Sequence, residues 1–240
     1  MDKQQVLLDK NKNLIGPMFD SIALRYDFLN HLLSMGIDKS WRRKAIRKIP
    51  SSFHNSRIID VATGTGDFAI EALKLDPYSV KGIDISGKML EIGRQKAERI
   101  GIGSKLEFIN CDSEKICFDD NTFDIATVAF GVRNFSDPVR GLSEMCRVIR
   151  KGGIAVILEF SKPSVVPFRH LYNFYFSYVL PVIGRIFSSD RKAYRYLNQS
   201  VMNFADGRDF IEMMSLAGFK DVTQTKVSWG IATIYTGFKK

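Results

Sequence analysis

Residues 58–67 read IIDVATGTGD, and the fold of the chain turns on them. Ile58, Ile59 and Val61 surround Asp60 with branched apolar side chains, the composition of a buried strand. Gly64 and Gly66 follow, and residues without a Cβ permit a tight turn and a close approach of the backbone to a ligand. The spacing predicts a strand, a glycine loop and a helix from about Asp67, an arrangement suited to a nucleotide-like cofactor. Gly64, Gly66 and Ala69 also match the G-x-G-x-x-A dinucleotide pattern, with Asp84 about 20 residues further on.

Outward from this stretch, strand-like and helical runs alternate. RIIDVA, VKGIDI, KLEFIN, FDIATVAF and IAVILEF read as strands, and the helices between them include SGKMLEIGRQKAERI and residues 138–148. Alternation of this kind predicts an α/β fold with a parallel sheet covered on both faces. After the helical run DFIEMMSLAGF come KDVTQTKVS and GIATIYTGFK, with no room for a crossover helix between them. They should therefore pair antiparallel at one edge, giving seven strands. Residues 17–49 predict two helices, carrying LRYDFLNHLLS and KSWRRKAIRKI, within an N-terminal helical cap over 1–50. Residues 163–203 predict a helical lid inserted before the last helix. One domain over 1–240 accommodates all of this, since no repeat or low-complexity tract interrupts it.

A chain of 240 residues can bury one full core. Its net charge of +9 suits a nucleic acid, an anionic membrane surface or an anionic ligand without choosing among them. Cys111, Cys117 and Cys146 lack metal-site spacing and are expected as reduced thiols packed in the core. The start MDKQQVLLDKNKN holds no signal-peptide-like apolar stretch, and no run reaches roughly 18 uninterrupted apolar residues. A cytoplasmic protein, soluble or peripheral at the membrane, is expected. His31, His54 and His170 form no metal-ligand pattern with the acids, so metal-independent chemistry is expected.

A dinucleotide enzyme would bring a second mononucleotide-binding half, whereas these five parallel strands end in a helix and a hairpin. Asp60, at the carboxyl end of the first strand, would repel a pyrophosphate and attract an ammonium group. S-adenosylmethionine carries an ammonium and a sulfonium. The segment Asp60-Val61-Ala62-Thr63-Gly64-Thr65-Gly66 resembles the motif of class I S-adenosylmethionine-dependent methyltransferases, a Rossmann-like fold. The resemblance implies that Asp60, Thr63, Gly64 and Gly66 face the methionine part and Asp84 the ribose hydroxyls. It implies that Asp112 and the Ser113 backbone N–H meet the adenine. One such acid alone reads as a helix cap. Three at the ends of successive parallel strands point to a shared ligand.

Residues 26–41, YDFLNHLLSMGIDKSW, and 147–161, RVIRKGGIAVILEFS, closely resemble the two signatures of the UbiE/COQ5 family, and GVRNF at 131–135 extends the match. Leu29 and Asp38 stand where Met and His are expected, and Arg150-Lys151 where Lys-Pro is expected. That family methylates a ring carbon of isoprenoid quinols, so the resemblance implies conversion of demethylmenaquinol to menaquinol. A polyprenyl methoxy-benzoquinol of ubiquinone biosynthesis is the alternative. A quinol hydroxyl, like a phenol with a pKa of about 10, must lose its proton before the neighbouring carbon attacks a methyl group. For that step Arg133 is the candidate to stabilise the phenolate, and Asn134 to orient it or a water. Asp67 is the candidate to take the proton or hold Arg133, with Tyr26 beside them.

The run from Lys162 to Phe187 is apolar on several helical faces and flanked by Arg169, Arg185, Arg191, Lys192 and Arg195. It suits anionic lipid headgroups and a substrate tail left in the bilayer, with no nucleic acid as partner. A nicotinamide-dependent quinone reductase, or a lipid- or RNA-binding module, are the readings from other classes.

Overall fold

The computed structural model describes residues 16–21, 23, 34, 36–163, 166, 196 and 199–240. The expected helix LRYDFLNHLLS apart from Ser34, with Tyr26 in it, and most of the expected lid lie outside them. Residues 16–21 are helical. Beyond them run α1 (Asp38–Ile46), β1 (Arg57–Val61), α2 (Asp67–Ala72), β2 (Ser79–Asp84), α3 (Gly87–Arg99), β3 (Leu106–Asn110) and β4 (Phe123–Ala129). The chain continues through α4 (Pro138–Val148), β5 (Ile149–Phe160), α5 (Arg208–Leu216), β6 (Lys220–Val227) and β7 (Ala232–Phe238).

The seven strands lie in the order β3-β2-β1-β4-β5-β7-β6. The first five are parallel, and β7 pairs antiparallel with both β5 and β6. The expected sheet, with its antiparallel C-terminal edge, is the one formed. From β1 the chain winds outward through β2 and β3, then returns to place β4 on the other side of β1. The crevice beyond the carboxyl ends of β1 and β4 is therefore a topological switch point, where open α/β sheets bind ligands.

Side chains alternate between the two sheet faces, because successive strand residues point in opposite directions. Ile58, Ile125, Val156 and Leu158 pack on one side with Trp41 of α1, Phe68 of α2 and Leu90 of α3. Ile59, Ala126, Ala155 and Ile157 pack on the other with Leu142 and Met145 of α4 and Phe210 of α5. Trp41 is fully buried, its ring centroid 6.3 Å from that of Phe130 and 6.1 Å from that of Phe160. Its Nε1 donates to Ser228 Oγ at 2.8 Å, so α1 is fixed to the sheet by both packing and a polar contact. Among the described residues, no helix is long and apolar enough to cross a membrane.

One expectation is corrected. Cys111 and Cys117 form a disulfide that closes the loop after β3, and Cys117 is exposed. Spacing alone did not bring the two together; the turn at Asp112–Lys115, with Lys115 N donating to Asp112 O, folds the segment back on itself. Cys146 is free and buried, as expected.

The Phe108 ring of β3 fills the space under the glycine loop. A Cβ on Gly93 of α3 would lie 2.7 Å from Phe108 Cε1, and one on Gly66 would lie 2.5 Å from Cζ. Gly93→Ala is therefore expected to destabilise the fold by about 1–3 kcal/mol through overpacking. Adding Phe108→Leu should recover part of that loss. Urea denaturation of both single variants and the double variant measures the coupling, and strictly additive effects would contradict this contact.

Candidate active site

The loop after β1 is built by left-handed backbone. Ala62, Gly64 and Gly66 have φ of 50°, 56° and 84°, and Gly66 N closes the turn on Thr63 O at 2.9 Å. Phe130, at the end of β4, has φ of 58°. Non-glycine residues rarely adopt this conformation, which costs of order 1–3 kcal/mol. Here two of them stand just past the ends of the adjacent strands β1 and β4, and Gly131 is needed because a Cβ there would lie 2.7 Å from Ala62 Cβ.

Asp60 sits beneath this loop, 1% exposed, and accepts from Thr63 Oγ1 and Thr127 Oγ1 at 2.6 Å each. Burial pushes its pKa up to about 6, against the opposing pull of the two hydroxyls and the Arg42 guanidinium. Asp84 ends β2 and accepts from the N–H of Gly64 at 2.9 Å and of Ser86 at 2.8 Å. It joins the glycine loop to the start of α3. Burial raises its pKa too, those N–H groups opposing the rise and the carboxylate of Asp20 adding to it. Asp112 accepts from Glu114 N at 2.8 Å.

None of these three acids is a helix cap. Ser86 caps α3, Gly66 starts α2 without a side-chain cap, and no helix follows Asp112. Gly64, Asp84, Asp112, Ser113 and Asn134 border one open cavity, whose empty space, open solvent included, is about 630 Å³. Asp60, Thr63 and Asp67 border a second, more polar recess of about 340 Å³, which shares Ala62 and Gly64 with the first.

The expected catalytic residues separate into two groups. Asn134 faces the larger cavity, and its Oδ1 accepts from Tyr196 OH at 3.2 Å. Arg133 is only 1% exposed; its Nη1 donates to Glu159 Oε1 at 2.7 Å and Phe130 O at 2.5 Å. Its guanidinium also lies over the Phe160 ring, 5.2 Å from the centroid. The expected contact between Asp67 and Arg133 is corrected. Asp67 bonds Lys96 at 2.7 Å and lies 3.3 Å from Arg42, because α2 packs beside α1 and its first residue lies within reach of Lys96 on α3. Tyr26 lies outside the described residues.

Several neighbours had no signal in the sequence. Phe19 and Met89 supply apolar wall, and Glu114 borders the cavity while accepting from Ser136 N at 2.7 Å. Asp20 accepts from Ser86 Oγ at 2.6 Å, tying the helical residues 16–21 to α3. Arg42 and Tyr196 come from segments far along the chain, so only folding brings them here.

The comparisons agree with this architecture. The family described as ubiE/COQ5 methyltransferase matches residues 6–239. The "Ubiquinone/menaquinone biosynthesis C-methyltransferase UbiE" of Geotalea daltonii is 50% identical over 227 residues, 94% of this chain and 96% of that protein. The "Demethylmenaquinone methyltransferase" of Bacteroides fragilis is 45% identical over 231 residues, 96% and 94% of the two chains. Among solved structures, the chain is similar in fold to a possible histamine N-methyltransferase from Thermotoga maritima. That match has a TM-score of 0.66 and 18% identity, covering 94% of this chain and all of the other. The [4+2]-cyclase SpnF gives 0.69 and 17%, covering 95% and 96%.

Two outcomes follow from the buried charges. Asp60 has a folded pKa above its ordinary value of 3.8, so its contribution to stability is complete at low pH. It is lost as pH rises toward and through about 6, by about 3 kcal/mol in total. Urea titrations from pH 3 to 7 should show the wild type losing that much relative to Asp60→Asn, and parallel pH profiles would contradict the shift. Arg133→Ala strands Glu159 in the interior and should cost about 3–5 kcal/mol, with Arg133→Ala/Glu159→Ala losing less.

Proposed function

We infer the reaction from two facts: the chain belongs to the ubiE/COQ5 methyltransferase family, and its acid-rimmed cleft runs on to Asn134. As an S-adenosylmethionine-dependent methyltransferase, it acts by our reading on a quinone-pathway ring carbon, as the names of its relatives describe for those proteins. We propose the specific conversion of demethylmenaquinol to menaquinol. The observation that carries the proposal is the cavity shared by Asp84, Asp112 and Asn134.

The residues present fit S-adenosylmethionine. Each oxygen of Asp84 keeps acceptor capacity beyond its one backbone N–H, enough for a ribose diol. Asp112 and the Ser113 N–H have the acceptor and donor types that an adenine amino group and ring nitrogen require. The buried Asp60 carboxylate, between two hydroxyl donors, suits an ammonium group. When bound, S-adenosylmethionine supplies an electrophilic methyl group on its sulfonium.

The chain's own part is to orient the acceptor and stabilise its phenolate form. Asn134 Nδ2 is the donor we place against the quinol oxygen, favouring the phenolate whose charge is shared with the ring carbon. Tyr196 OH, bonded to Asn134 Oδ1, holds the amide in that orientation. Arg133 acts behind it: by bonding Phe130 O and Glu159 it fixes the turn at 130–134 on which Asn134 stands. Asp67 borders the polar recess and holds Lys96 and Arg42 there. Walls such as Phe19 and Phe135 exclude water and hold the ring in line.

The test is incubation with labelled S-adenosylmethionine and each of two quinols, followed by mass analysis. One added ring methyl on demethylmenaquinol is expected. Methylation of only the polyprenyl methoxy-benzoquinol would move the substrate to the ubiquinone series, which the mixed names of the relatives make the second reading. With neither methylated, the function falls. Asn134→Ala should lower kcat at saturating quinol by roughly 10²–10³. Tyr196→Phe should lower it about 3–10-fold, with cofactor affinity changing less than either rate.

A further inference from the structure

Arg42 stands out because nothing in the chemistry above uses it directly. It lies on the buried face of α1 beside Trp41, and its guanidinium carbon is 5.9 Å from the centre of the Phe130 ring. Its Nη1 donates to Asp38 Oδ2 at 2.5 Å and lies 3.3 Å from Asp67 Oδ2. Asp38 is itself fully buried and accepts from Ser34 Oγ at 2.8 Å. The side chain of Arg42 is 7% exposed, and its buried Nε has no hydrogen-bond partner among the described residues. A guanidinium with five donors, held on one side and unsatisfied on another, is unusual unless a ligand completes it.

That guanidinium borders the polar recess together with Asp60, Thr63, Thr65 and Asp67. The recess adjoins the same glycine loop that borders the larger cavity, with Ala62 and Gly64 common to both. Asp38, Asp60 and Asp67 bring three carboxylates to the cluster, against the two cations Arg42 and Lys96. A ligand end with an ammonium and a carboxylate side by side, next to a sulfonium, complements that arrangement in both order and net charge. We propose that Arg42 binds the α-carboxylate of the S-adenosylmethionine methionine moiety, opposite Asp60, and that Asp38 holds the guanidinium in place for it. The assignment rests on the cleft being the S-adenosylmethionine site. It also accounts for Asp38, a buried carboxylate that restrains the cation from one side while leaving donors for the ligand on the other.

The experiment is calorimetric titration of the full chain with three probes: S-adenosylmethionine, decarboxylated S-adenosylmethionine and 5′-methylthioadenosine. Wild type should prefer the carboxylated ligand. Arg42→Met should weaken S-adenosylmethionine about 10–100-fold while changing the other two by less than about threefold, since hydrogen bonds to charged groups are of that strength. Arg42→Lys should restore part of the preference, because the charge remains and the planar donor set is lost. If Arg42→Met does not fold, Asp38→Asn/Arg42→Met removes the stranded carboxylate and serves in its place. An unchanged ratio between the first two ligands, or equal losses for all three, overturns the role of Arg42. Asp84→Ala separates the two levels: it should weaken all three probes, and if it weakens none, the reading of the cleft itself fails.

Discussion

The carboxylate of Asp60, closed off from water between the hydroxyls of Thr63 and Thr127, joins the three pieces of backbone that make the site. Asp60 is the penultimate residue of β1, Thr63 begins the glycine loop and Thr127 lies on β4, the neighbour across the switch point. A carboxylate in that position is costly when ionised, and its raised pKa expresses the cost. Two short hydroxyl bonds and the nearby Arg42 charge offset part of it. An apolar residue of similar size would pack there at lower cost, so the acid is better explained by what lies across the loop than by stability.

The rest of the cleft is arranged around that junction. Left-handed turns at Ala62 and Phe130 follow the ends of β1 and β4, and Asp84 returns from β2 to bond the loop at Gly64. The loop is thus held from below by Asp60 and from the side by Asp84. Helical residues 16–21 add a third restraint, because Asp20 accepts from both Ser86 Oγ and Lys88 N at the start of α3. These contacts hold the ligand-facing backbone before any ligand arrives, which lowers the ordering cost of binding.

Two buried arginines flank the cleft, and each is tied to a buried acid: Arg133 to Glu159 and Arg42 to Asp38. Buried ion pairs are weak contributors to net stability, because desolvation opposes the Coulomb attraction. Both pairs also leave nitrogen donors without partners among the described residues, at Arg133 Nε and Nη2 and at Arg42 Nε. Their common feature is position: one anchors the turn that carries Asn134, and the other borders the polar recess behind the glycine loop.

Much of this was legible in the residue order. Strand and helix periods, together with the absence of room for a helix between the last two strands, determined the layered sheet and its antiparallel edge. The positions of Asp60, Asp84 and Asp112 just after successive strands placed them on one rim, because parallel strands share a direction and so share an end. What the order of residues left open was every contact between segments distant in the chain. That the three acids are not caps, that Asp67 faces Lys96 and Arg42, and that Arg133 is enclosed with Glu159 depend on how helices pack on the sheet. The Cys111–Cys117 pairing and the approach of Tyr196 to Asn134 are of the same kind. Local periodicity reports which face of an element is apolar, whereas the partner of a polar group is chosen only when tertiary packing excludes water and leaves it one neighbour to bond.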